Sequence, residues 1–313
     1  MIDSFGREIT YARISLTDRC NLRCRYCMPE EGISKKEHNE ILSFENMEKI
    51  VDALISLGIS KFRITGGEPL VRKGTIDFLA KLGKKDIKKL SVTTNGTLLQ
   101  EYAKDLYYAG VKAINVSLDT LNPERYKEIT RTGELSEVLD GLKEAKSCGF
   151  ETIKINVVLL KGINDNEVED FIKYTNDNGF ELRFIELMPF CSQSEFAAER
   201  FISLNEITDK HKNWEHLGHI DNSAADYYIT ETGSKVGLIK PLSQKFCGNC
   251  NRVRITAEGE LLNCLHNRQS FDLKPHIDSN LENFIAECVS KKPLKHSLET
   301  GAAQKRDMNQ IGG

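Results

Sequence analysis

Six short β-rich runs alternate with segments whose apolar residues recur at helical spacing. The runs lie at residues 11–16, 61–65, 90–94, 113–118, 152–159 and 181–187. The first helical segment shows the pattern clearly. Phe44, Met47, Ile50, Val51, Leu54 and Leu57 share one face, Ser43 suits an N-cap and Gly58 a stop. Further helices are expected over 75–82, 99–109, 135–148 and 167–179. Strands that alternate with helices pair in parallel through right-handed crossovers. A closed eight-fold barrel takes about 250 residues, and here the rhythm stops at Pro189. The expected fold is α/β: an incomplete six-stranded (β/α)6 TIM-like barrel over 1–189, then a smaller module over 190–313. In that module 190–240 is mixed, with strands expected at 227–229 and 235–239. Residues 252–257 and 260–264 read as a hairpin turning at Glu258-Gly259. The closing NQIGG reads as a short flexible tail.

Two groups of three thiols sit near opposite ends of the chain. Cys20, Cys24 and Cys27 follow a C-x3-C-x2-C spacing just past the first strand. Cys247, Cys250 and Cys264 follow C-x2-C-x13-C. A structural zinc site closes with four protein ligands, whereas three thiolates on a cubane iron–sulfur cluster leave one iron open to chemistry. The first triad reads as such a cluster site, its bland alternatives being a zinc loop short of one ligand or unrelated thiols. On spacing alone the second triad leaves two readings open, because His266 could complete a Cys3His zinc site. Cys148, Cys191 and Cys288 have no partner spacing and read as buried or incidental.

The remaining signals bound the setting. A net charge of −3 gives no global field to gather nucleic acid. No stretch approaches the ~20 apolar residues of a membrane span. The N-terminal MIDSFGREITYARISL holds no long apolar run, so no signal peptide is expected. Nine cysteines at metal-ligand spacings fit a reducing, cytoplasmic setting. Positive charge must therefore be local. Arg252 and Arg254 share one face of a strand beside Cys250, and Arg13, Arg63 and Lys154 lie inside other strands. A charge inside a strand is costly to bury without a partner, so these residues either bind an anion in bidentate fashion or make ordinary salt bridges. The run Lys84, Lys85, Lys88 and Lys89 reads as a solvated face. GGEP, TTNG and SLDT, like the first triad, fall just after strand ends, the rim where barrel chemistry collects.

The segment RISLTDRCNLRCRYCMP with TGGEP downstream resembles the radical S-adenosylmethionine superfamily. CGNCNRVRITAEGELLNCL and the terminal Ile311-Gly312-Gly313 narrow the resemblance to the GTP 3′,8-cyclases of molybdenum cofactor biosynthesis (the molybdenum cofactor biosynthesis protein A family). It runs from about Phe5 to Gly313 and is weak over 190–237. The resemblance implies a partial barrel with a C-terminal iron–sulfur module. It also implies two [4Fe-4S] clusters, reductive cleavage of S-adenosylmethionine, a 5′-deoxyadenosyl radical, and conversion of GTP to 3′,8-cyclo-7,8-dihydro-GTP. Cys20, Cys24 and Cys27 would hold the S-adenosylmethionine cluster, and Cys247, Cys250 and Cys264 the second. Tyr26, Gly66, Gly67, Glu68, Ser117 and Met188 would contact S-adenosylmethionine. Arg13, Arg63, Thr94, Lys154, Arg252, Val253 (through its backbone) and Arg254 would contact GTP. Arg252 and Arg254, with Gly312 and Gly313 of a tail entered through Arg306 and Met308, would be catalytic. Implied partners are a reductant protein, a downstream enzyme that receives the cyclised nucleotide, and a second copy in a homodimer.

Two rivals remain at this point. A peptide-modifying radical maturase would share CxxxCxxC but needs a peptide site instead of paired arginines beside the second triad. A zinc-binding adaptor would carry zinc and no acid-labile sulfide.

Overall fold

A computed structural model of the chain describes residues 1–33, 36, 40–190, 193–220, 223–296 and 306–312. The expectations for Cys191 and Gly313 lie outside these residues. Six parallel strands follow one another in chain order: β1 (Tyr11–Ser15), β2 (Lys61–Thr65), β3 (Lys89–Thr94), β4 (Ala113–Ser117), β5 (Thr152–Leu159) and β6 (Glu181–Glu186). The helices between them are α1 (Phe44–Ser56), α2 (Thr75–Leu82), α3 (Leu99–Tyr108), α4 (Pro123–Thr130), α5 (Leu135–Cys148) and α6 (Val168–Asn178). Local sequence sets their ends. Ser43 Oγ accepts the Asn46 amide at the start of α1. Gly149 and Gly179 end α5 and α6 in the left-handed conformation that suits glycine. Pro123 at the first turn and Asn122 as N-cap start α4, a helix not anticipated above although its signal was present.

Burial along β5 shows how the sheet is used. Ile153, Ile155, Val157 and Leu159 are buried on the helix side, while Thr152, Lys154, Asn156 and Val158 stay half-buried on the other. Phe62, Phe78, Phe171 and Phe184, all fully buried, fill the layer between sheet and helices. A barrel interior is ordinarily packed with branched aliphatic side chains. Here the inner face is polar and lines a cavity.

The C-terminal segment supplies both flanks of the same sheet. After β6 come α7 (Ser194–Arg200), α8 (Asn205–Lys210), β7 (Glu215–His219), β8 (Asp226–Ile229) and β9 (Lys235–Ile239). β9 pairs in parallel with β6, and β8 and β7 continue antiparallel. β10 (Arg252–Ile255) then pairs in parallel with β1, and β11 (Glu260–Leu262) and β12 (Phe271–Asp272) extend that edge. The twelve strands form one sheet of order β12-β11-β10-β1-β2-β3-β4-β5-β6-β9-β8-β7. Among the described residues its two ends do not pair, so the barrel is open, as the short β/α rhythm implies. α9 (Leu281–Ser290) packs on the outside against α1, and Cys288 is buried in that core. Cys148, at the end of α5, packs partly buried against the same core.

The expected flexible tail is instead docked. α10 (Met308–Ile311) is a short turn capped by Asp307 and Gln310, and Ile311 is buried with Phe190 and Leu262. Apolar burial of Ile311 offsets the ordering entropy that would otherwise leave a terminus loose.

Candidate functional site

One cavity of about 680 Å³ runs along the inner face of the sheet, and both thiol triads line it. The first triad sits in the loop after β1. Leu22 N–H and the Asn95 side-chain amide point at Cys20 Sγ, at 3.4 and 3.7 Å. Such N–H donors stabilise a thiolate that carries metal charge. Burial pushes Cys20 up to about 11 and Cys27 up to about 12 without metal, so these thiols need a cation to ionise. Cys247, Cys250 and Cys264 occupy the loops around β10 and β11. The eight described cysteines are all free thiols. Three half-buried thiols in one loop with N–H donors aimed at one of them fit an iron–sulfur cluster. Among the described residues no three His, Cys, Asp or Glu side chains converge on a site for a single metal ion. His266 is buried, stacks on Phe190 with ring centroids 5.8 Å apart, and faces His296. Burial, with His296 and Arg254 nearby, pushes it down to about 3.

Tyr26, Gly66, Gly67, Ser117 and Met188 all line the cavity near the first triad. The two glycines are required by close approach. A Cβ on Gly66 would lie 2.7 Å from Thr17 O, and one on Gly67 2.3 Å from Arg19 O. Tyr26 donates to Asp119 Oδ2 at 2.7 Å, and Asp119 Oδ1 accepts the Val158 amide at 2.8 Å. Burial holds Asp119 up near 6. Glu68 stands behind the wall rather than on it. It is fully buried and accepts from Thr94 Oγ1, Asn95 N and Leu70 N. Burial nevertheless outweighs these donors and raises its carboxyl to about 7. Thr94 thus reaches the cavity with its hydroxyl already donated to Glu68.

Four arginines gather between the triads. Arg254, Arg13 and Arg63 share one rung across β10, β1 and β2, and Arg252 lies beside Tyr11 one rung away. Arg63 donates to Tyr11 Oη, and Arg252 lies over the Tyr11 ring. Burial, then the mutual repulsion of Arg254, Arg63 and Arg252, pushes Arg13 well below the usual guanidinium range. Neither Arg63 nor Arg254 has a carboxylate in ion-pair range among the described residues. Like charges held together in a cavity cost energy until an anion joins them. Val253, between Arg252 and Arg254, turns its side chain into the core, so only its backbone is available. Gly312 closes the arrangement: Arg254 Nη1 donates to its carbonyl at 2.6 Å.

Lys154 meets Glu181 and, with it, Arg183 and Tyr227. Burial and Arg183 push Lys154 down to about 7. Burial would raise Glu181, but Arg183 and Lys154 outweigh it and hold it near 2. Of the lysine run expected to be solvated, Lys89 instead opens β3 and lines the cavity beside Lys61. Tyr11, Lys61, Lys89 and Arg183 were missed, although charge inside a strand, the signal used for Arg63, marks Lys61 and Arg183 equally. Arg7 and Lys292, which hold the second triad from remote segments, carried no sequence signal.

Comparison with known proteins agrees with this geometry. The family model described as Radical SAM superfamily matches residues 14–175, and the one described as Molybdenum Cofactor Synthesis C matches 180–298. A "GTP 3′,8-cyclase" of Peptoclostridium acidaminophilum is 48% identical, covering 100% of this chain and 98% of its own length. One from Alkaliphilus oremlandii is 47% identical, with 100% of both chains covered. Among solved structures, SuiB of Streptococcus suis bound to S-adenosylmethionine superposes with a TM-score of 0.65 at 14% identity. That match covers 93% of this chain and 73% of SuiB and concerns the fold.

Proposed function

The chain belongs to the radical SAM superfamily and, within it, to the GTP 3′,8-cyclases, and from that premise we propose how its cavity performs the reaction. It is a radical S-adenosylmethionine enzyme with two [4Fe-4S] clusters, converting GTP to 3′,8-cyclo-7,8-dihydro-GTP in the first step of molybdenum cofactor biosynthesis. The observation that carries the reading is the placing of both thiol triads and the arginine group on one cavity. When bound at the first triad, the cluster supplies the electron for reductive cleavage of S-adenosylmethionine.

Everything else falls to the protein's own residues. Cys20, Cys24 and Cys27 hold the first cluster, with Leu22 N–H and Asn95 supporting one sulfur. Gly66 and Gly67 let their turn pack against the Thr17 and Arg19 carbonyls of the first-triad loop, where it would receive the methionine end of the cofactor, while Glu68 fixes Thr94 and Asn95 at the end of β3. Tyr26, held by Asp119, Ser117 and Met188 line the remaining contact. Cys247, Cys250 and Cys264 would hold the second cluster on the wall of the same cavity. Arg13, Arg63, Arg252 and Arg254 neutralise and orient the nucleotide, and Lys154 and Arg183 meet its phosphates after parting from Glu181. Gly312 aims Arg254, and the Ile311, Phe190 and Leu262 cluster screens that rim from water.

The reductant protein, the downstream enzyme, a homodimer and a cytoplasmic setting are part of the same proposal. The free thiols support a reducing compartment, and among the described residues no helix is long and apolar enough to cross a membrane. So is the division at residue 189, which the change of family model between 175 and 180 supports.

The test is anaerobic. Reconstituted protein receives reductant, S-adenosylmethionine and one nucleotide at a time, and 5′-deoxyadenosine is measured by mass spectrometry. GTP alone should yield it together with an isomer of GTP. Equal yield without nucleotide would reopen the substrate, and none from fully iron-loaded protein would sink the radical reading.

A further inference from the structure

Lys292 follows α9 and turns its ammonium inward, to the ends of β10 and β11, where it is only 2% exposed. An ammonium has three N–H donors. Two of them go to backbone carbonyls, Arg252 O at 2.7 Å and Asn263 O. The two carbonyls flank the ligand thiols in sequence: Arg252 lies two residues beyond Cys250, and Asn263 immediately precedes Cys264. One buried side chain therefore ties both ligand-bearing strands together.

Hydrogen bonding alone does not explain a charge in this place. Burying an ammonium is costly unless an anion lies beside it. Among the described residues no carboxylate is in ion-pair range of Lys292. Its negative neighbours are the Cys250 and Cys264 sulfurs, and the Arg7 guanidinium opposes it. Arg7 is engaged elsewhere, donating to the carbonyls of Cys247, Pro293 and Leu294 and to Asp3. Lys292 thus joins Arg252 and Arg254 as a cation beside these thiols, but one buried behind them on the tie between their strands, and a cluster held by three thiolates grows more negative on reduction. We propose that Lys292 is a positioning residue of the second cluster, whose fixed positive charge favours the cluster's reduced form. The inference rests on the reading that Cys247, Cys250 and Cys264 hold a [4Fe-4S] cluster.

The experiment isolates that cluster in the full chain by Cys20→Ala, Cys24→Ala and Cys27→Ala. Parent, Lys292→Arg and Lys292→Gln proteins are reconstituted anaerobically with iron and sulfide, assayed for both, and titrated with dithionite under electron paramagnetic resonance. The glutamine variant should hold iron but reduce at a more negative potential, while arginine keeps the parent potential. Glutamine at the parent potential with full loading would overturn the inference. Should glutamine fold with the parent's thermal melt yet lose iron, arginine decides. Retained iron at the parent potential supports the charge, whereas loss in both leaves a structural tie and overturns it. A parent that takes up no iron would sink the cluster reading itself, a result distinct from an unmoved potential.

Discussion

A Cβ on Gly312 would lie 2.5 Å from Thr65 Oγ1 and 3.0 Å from Ser15 Cβ, and its φ of 79° already disfavours an L side chain. Alanine there cannot keep its carbonyl on Arg254 without moving the tail or the ends of β1 and β2. Gly312→Ala is expected to lower turnover at least ~10-fold, about 1.4 kcal/mol of barrier, with iron content of both clusters unchanged. Anaerobic product assay beside iron analysis checks this, and parent-like turnover would remove the tail from the site. Glu181 carries a different prediction, in pH. Its carboxyl is held near 2 against an ordinary 4.5. A carboxyl lowered on folding stabilises the protein above its unfolded value and loses that contribution as the pH falls toward the folded one. The unfolded chain binds up to one more proton in that window, about 1.4 kcal/mol per pH unit. Glu181→Gln should therefore flatten the fall in unfolding free energy of the cluster-free protein between pH 4.5 and 3. It should also be less stable at pH 7, because Lys154 and Arg183 lose their counter-charge. Urea titrations across that range test it, and parallel curves for parent and variant would contradict the pairing.

The tail shows how an element of four residues can matter without carrying much stability. α10 is held by Ile311 in a small apolar cluster and by Asn309, whose amide donates to Asp18 O at 2.9 Å. A segment with so few contacts opens locally, well below the free energy of global unfolding. Ile311→Ala removes buried methyl groups, a change worth roughly 2–5 kcal/mol in a core, but here the loss falls on tail docking. Amide exchange over 308–311 should quicken while the melting temperature stays within a degree or two of the parent. A melt lowered as far as by a substitution at Phe171 would mean the tail is part of the cooperative core. That docking was hidden from the sequence by its short reach, since IGG offers one apolar residue and no period. The six core strands were legible because their β-branched runs are bounded by Gly and polar turns and separated by striped helices. α9 carried a stripe of its own in Leu281, Ile285, Cys288 and Val289, but it was not read. The thiol triads were legible from local spacing. Lys292 was not, because its partners lie 29 and 40 residues away along the chain, and nothing local separates it from the other 42 basic residues.

The single sheet has a consequence for how the protein folds. Its two halves in sequence do not form two sheets. β9 pairs with β6 and β10 with β1, so the C-terminal segment covers both edges of the six-stranded core. Without it, β1 and β6 would each present a row of unpaired backbone groups beside apolar surface, the ordinary template for aggregation. The inner polar face would also lose Arg252, Arg254 and the Gly312 carbonyl, leaving Arg13 and Arg63 facing open solvent. N-terminal tethers reinforce the coupling: Arg7 reaches Cys247, Pro293 and Leu294 across more than 200 residues of chain. A protein joined this way should unfold as one unit despite matching two family models. Cluster-free full-length chain is expected to show one urea transition, coincident by far-ultraviolet circular dichroism and by fluorescence of its single tryptophan, Trp214, in the C-terminal part. Residues 1–189 expressed alone should aggregate or lose cooperative unfolding, and addition of a 190–313 fragment should restore it. If the 1–189 fragment proved monomeric with a sharp transition of its own, the flanking strands would be additions to a self-sufficient core, and cooperativity across the cavity would have to be abandoned.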